Sequence, residues 1–136
     1  MGYSRAVQEV DALAARGERV AIVKLGEQPY VLTCGVEAPA PPWDRPSYDI
    51  MFALPLAYDD GVALDAFYLR LPQTWNGQPH NRVSGTTIAY EDATWQLVSW
   101  HYAENSPYSL EEGAIMNHIA HCKGFFHGRG ATNAKD

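Results

Sequence analysis

The chain has 136 residues, 46% of them hydrophobic and 19% charged, which is enough for one core in one domain and too little for a second. Sixteen Asp and Glu against ten Lys and Arg give a formal charge of −6, which argues against nucleic acid and acidic membrane surfaces as partners. No apolar run approaches the roughly 20 residues of a membrane helix, and Arg5, Glu9 and Asp11 occupy the first turns in place of a secretory leader's apolar stretch, so a soluble cytoplasmic protein is expected. Cys34 and Cys122 lie far apart without a CxxC partner, and two free thiols in a reducing compartment are expected.

In chain order, residues 4–16 predict an amphipathic helix, with Val7, Val10, Leu13 and Ala14 inward, Arg5, Gln8, Glu9 and Asp11 in water, and Gly17 as the stop. Residues 20–25 and 30–36 are β-rich runs joined by Gly26-Glu27-Gln28-Pro29, a hairpin spacing. Pro39, Pro41, Pro42 and Pro46 exclude helix and central strand over residues 38–46. Within that loop Trp43 either forms a partner-binding edge or folds back to cap the sheet. Residues 48–54 and 64–71 predict strands ending at Pro55 and Pro72, with Asp59-Asp60-Gly61 as a turn between them. Residues 73–85 are polar and turn-rich, an expected exposed loop. Residues 86–90 and 94–101 suit short strands or extended segments, and the second also fits a helical turn.

A closing helix is expected over residues 110–126, started by a capping box of Ser109 and Glu112. Its buried stripe is Ile115, Ile119, Cys122 and Phe126, flanked by Ala114, His118 and Phe125. The polar tail 128–136 frays, leaving a single domain over residues 1–127. The expected class is α+β: an N-terminal helix, an antiparallel four-stranded meander, and a C-terminal helix packed on the sheet.

Several segments carry a resemblance. The strand Tyr48-Asp49-Ile50-Met51-Phe52-Ala53-Leu54-Pro55 precedes the Tyr58-Asp59-Asp60 turn and the strand Asp65-Ala66-Phe67-Tyr68-Leu69-Arg70-Leu71-Pro72. Further on come Trp95-Gln96-Leu97-Val98-Ser99-Trp100-His101 and the capped helix after Tyr108. This ordered set resembles the prokaryotic E2 family E of bacterial ubiquitin-like operons, within the ubiquitin-conjugating (E2, UBC-like) fold. The resemblance implies a cytoplasmic acyl-transfer or scaffold role. It implies as partners a ubiquitin-like or multi-ubiquitin protein, an E1-like (ThiF-type) adenylating enzyme and a JAB-type peptidase. The chain departs from a typical E2 in two places: Asp59 stands where a proline would follow Tyr58, and no cysteine occurs between Cys34 and Cys122, where the thioester nucleophile would lie.

Three sets of residues compete for function. Ser99 and His101 are two apart, so in a strand a hydroxyl and a base share one face, and a serine oxyester carrier is conceivable. The plainer alternative is a pair of solvent-side polar residues with Val98 and Trp100 inward. His118 falls in the apolar sector of the closing helix, and His101 with His118 is the favoured pocket. His80 and Asn81 resemble the histidine and asparagine that precede an E2 cysteine, where the asparagine stabilises an oxyanion, and Trp95 and Trp100 complete the expected binding set. The competing class is a small metal-binding protein, with zinc held by His101, His118, His121 and Cys122. Against it, Cys122 lies in the apolar stripe, where a thiol behaves as a small hydrophobe. A noncatalytic interaction domain is the third alternative.

Overall fold

The computed structural model describes residues 3–38, 43–56, 58, 64, 67–71, 83–98 and 114–127. Helix α1, Ser4–Ala15, buries Ala6, Glu9, Val10 and Leu13. Its inward stripe is therefore turned from the expected one, with Val7 45% exposed and Ala14 in water. Gly17 ends the helix at φ 93, and the amides of Gly17 and Glu18 return to the carbonyls of Ala14 and Leu13.

Among the described residues six strands follow: β1 Val20–Leu25, β2 Gln28–Glu37, β3 Ser47–Ala53, β4 Phe67–Arg70, β5 Val83–Tyr90 and β6 Ala93–Val98. They form one curled antiparallel sheet in the order β1-β2-β3-β4-β6-β5. The four-stranded expectation is corrected to six strands. Of the ranges 86–90 and 94–101, left open between strand and other forms, the described residues 86–90 and 94–98 lie in a hairpin whose second strand slots beside β4 (Phe67 opposite Val98, Tyr68 opposite Leu97). Residues 83–85, expected in a loop, belong to β5.

The β1–β2 turn is Gly26-Glu27, with Gly26 at φ 61. The β5–β6 turn is Glu91-Asp92, both left-handed at φ 52 and 60. Helix α2, Ala114–Phe126, closes the described fold. The Ser109–Glu112 capping box lies outside the described residues.

Strand alternation divides the sheet into two faces. On one, Val31, Ile50, Phe52, Phe67, Leu69 and Val98 pack against Ala6, Val10 and Leu13 of α1 and Ile115, Ile119, Cys122, Phe125 and Phe126 of α2. The expected stripe of the closing helix is thus wholly buried. Trp43 belongs to this face too: it is 1% exposed and donates its indole N–H to the Phe126 carbonyl at 3.0 Å, so it caps the sheet and is no partner-binding edge. Tyr48 stacks on Phe126 at 5.5 Å between ring centres and donates its hydroxyl to Asp44.

The opposite face gathers Tyr30, Met51 and Trp95, with Val23, Leu25, Leu32, Tyr68, Ile88, Tyr90 and Ala93 packed around them; among the described residues no helix side chain joins this cluster. Among the described residues, no helix is long and apolar enough to cross a membrane.

Candidate functional site

The two helices meet at a buried carboxylate. Glu9, expected in water, reaches inward from α1 and accepts the backbone N–H of Ile115, in the first described turn of α2, at 3.0 Å. The same oxygen accepts the Tyr58 hydroxyl at 2.9 Å, and the second oxygen accepts Arg5 Nε at 2.8 Å. The guanidinium of Arg5 also lies 5.0 Å from the centre of the Tyr58 ring. A negative group aimed at the amides of a helix N-terminus meets both an unsatisfied donor and the positive end of the dipole. Glu9 thereby ties α1, α2 and the turn after β3 into one joint.

One turn beyond Ile115 stands His118, fully buried, with its ring edge-on to Phe52 of β3 at 4.6 Å. His121 lies beside it, ring centres 5.7 Å apart and nearly parallel. Cys122 completes the i, i+3, i+4 set and is fully buried, and burial pushes its thiol well above the ordinary range. A protonated thiol in an apolar stripe is a packing group and a poor metal ligand. Among the described residues no group of three or more His, Cys, Asp or Glu side chains is placed to hold a metal ion. His101, the fourth expected ligand, lies outside them.

The second thiol lies on the other face. Cys34 is half-buried in β2, beside Gly35, whose φ of 71 accompanies a register shift between Thr33 and Val36. The Gly35 amide donates to Asp49 at 3.0 Å, and Asp49 pairs with Arg70 at 3.5 Å. Burial raises the Cys34 thiol, as does the charge of Asp49, while Arg19 and Arg70 pull it partly back down. Neither thiol is held as a ready thiolate.

Of the residues expected to act, His118 is on the helix-covered face and Trp95 is on the other. Trp95 is buried there, donates its indole N–H to the Tyr90 carbonyl at 3.3 Å, and has Arg70 6.0 Å from its ring centre. The sheet separates the two, so they do not share a pocket. Ser99, His101, His80, Asn81 and Trp100 lie outside the described residues. Sequence reasoning missed Glu9 because an Arg5–Glu9 pair at i, i+4 reads as a solvent-exposed couple. The available signal was its position, three residues after Ala6 and four before Leu13, within the buried sector. The chain matches no protein-family model, and searches of curated proteins and of solved structures find no match.

Proposed function

We propose that the chain is an E2-like component of a bacterial ubiquitin-like conjugation pathway, serving as a noncovalent platform for the ubiquitin-like protein and its E1-like enzyme. The observation that carries this reading is where the resembling segments fall. Residues 48–53, 67–70 and 95–98 lie in β3, β4 and β6, side by side in a single sheet, and Leu54 and Tyr58, from the turn that resembles the family's, are buried against the helices. After α1 in chain order, β1, β2, β3 and β4 are neighbours in that sequence, which supports the reading, and β6 beside β4 carries the sheet beyond the four strands the resemblance implies.

The thiol chemistry favours a platform over a thioester carrier. Cys122 is sealed in the core and Cys34 has a raised thiol, so neither supplies an accessible thiolate nucleophile. In the acyl-transfer form of the same reading, the Ser99 hydroxyl adds to the activated C-terminal carbonyl, His101 takes its proton, and the activating group leaves.

The test is to mix the chain with an E1-like enzyme, ATP and a ubiquitin-like protein from such an operon, then measure complex formation by light scattering and adducts by intact mass. Binding without an adduct supports the platform. An adduct sensitive to hydroxylamine and lost in Ser99→Ala makes the chain a carrier. Absence of both, with an active E1-like enzyme, overturns the reading.

A further inference from the structure

The ends of the sheet differ. At one end β5 breaks its register between Val83 and Thr87, an irregular edge of the kind that discourages further pairing. At the other end β1 is Val-Ala-Ile-Val-Lys-Leu, in unbroken register with β2, with no proline and one charge. Such an edge is a template for another strand.

The direction of the backbone groups of β1 follows from the ladder. The Cys34 amide bonds the Arg19 carbonyl, so Arg19, and by alternation Ala21, Val23 and Leu25, turn their groups toward β2. The Pro29 carbonyl accepts from Leu54 on the β3 side, which confirms that its opposite number Lys24 is turned away. Val20, Ile22 and Lys24 therefore present their N–H and C=O groups outward, and among the described residues nothing accepts or donates to them.

We propose that a second copy of this chain pairs here, β1 antiparallel to β1, about a two-fold axis through Ile22. That register sets Ile22 against Ile22 and Val20 against Lys24 of the second copy, so every outward N–H and C=O is matched with none left over. Charge is compatible with this register. Glu18, two residues before β1, and Lys24 are both exposed, and a second strand paired about Ile22 runs Lys24 past the end of β1 where Glu18 of the second copy stands, twice over by symmetry. On the other side of the row, Ala21 meets Val23 of the second copy and extends the apolar surface.

Sedimentation equilibrium over a wide concentration range tests this. The wild-type mass is expected to move from 15.1 kDa toward twice that value. Lys24→Pro removes an outward N–H that the β1–β2 ladder does not use and is expected to stay at the monomer mass with an unchanged circular dichroism spectrum. Lys24→Glu sets like charges on the diagonal and is expected to weaken pairing by about tenfold, more at low salt. Glu18→Lys combined with Lys24→Glu is expected to restore it. A wild-type chain that stays monomeric up to its solubility limit overturns the proposal. So does a dimer that Lys24→Pro leaves intact, or a charge swap that fails to rescue.

Discussion

The two faces of the sheet are built on different principles. On the helix-covered face Trp43, Tyr48, Phe52, Phe67, Phe125 and Phe126 belong to one cluster between strands and helices, and Glu9, the buried carboxylate among the described residues, accepts three hydrogen bonds there. The other face has a smaller apolar centre of Tyr30, Met51 and Trp95, ringed by half-buried side chains and edged by Cys34, Asp49 and Arg70. The first face secures the fold. The second sets the polar groups of Asp49 and Arg70 and the Cys34 thiol at the rim of a smaller aromatic centre.

The thiols offer the largest contrast, since each face holds one. With an alkylating reagent, Cys122 is expected to react only through global unfolding, at least about a thousandfold more slowly than Cys34. Raising the pH narrows the difference. Because the folded Cys122 thiol holds its proton more tightly than the unfolded one, the stability it contributes is complete below the ordinary thiol range and is lost as pH rises toward the folded value. Denaturation midpoints should therefore fall in alkaline buffer in the wild type, and fall less in Cys122→Ala. Equal labelling of both thiols in the native state would break the comparison.

Truncation comes next. Phe52→Ala removes a fully buried ring from between the helices and β3, and is expected to cost about 3–5 kcal/mol in chemical denaturation. Tyr68→Ala, on the other face and only half-buried against Tyr30 at 6.1 Å, is expected to cost about 1–2 kcal/mol. A reversed order would mean that the second face carries the core.

Glu9 tests whether the joint between the helices is structural. Glu9→Ala leaves the Ile115 amide and the Tyr58 hydroxyl buried without their acceptor and is expected to cost about 2–3 kcal/mol. Glu9→Gln keeps one acceptor oxygen and should lose roughly half as much. Equal losses would mean that charge, and not hydrogen bonding, holds the joint.

Local signals read well where the chain makes its own decision. The bounds of β1, the hairpin that follows it, the strand character of residues 48–54 and the buried stripe of α2 all rest on spacing within a few residues. The inward turn of Glu9 was hidden, since its partner Ile115 lies 106 residues away. So was the sheet order, because nothing local says that β6 rather than β5 pairs with β4. Of the candidate site only His118, His121, Cys122 and Trp95 fall on described residues. The separation of Trp95 from the other three by the sheet depends on register, which a one-residue slip would reverse.

The β5–β6 hairpin was also unreadable for a chemical reason that yields the smallest prediction. A two-residue hairpin turn with both central residues at positive φ asks for Asn-Gly, and the chain supplies Glu91-Asp92. Side chains other than glycine pay for that conformation by about 1–2 kcal/mol each, Asp less than most. The hairpin delivers Ile88, Tyr90, Ala93 and Trp95 to the face that, among the described residues, no helix side chain joins, so the strain is carried by the side with the smaller cluster. Replacing both residues, Glu91→Asn with Asp92→Gly, is expected to stabilise the chain by about 1 kcal/mol in denaturant titration. Exchange of the β5 and β6 amides should slow in proportion, while amides of α1 and α2 that already exchange only through global unfolding slow by the same factor and their locally opening neighbours do not change. Stabilisation seen equally at every amide would show that the hairpin folds as one unit with the helices. Stabilisation confined to β5 and β6 would show that the hairpin opens on its own.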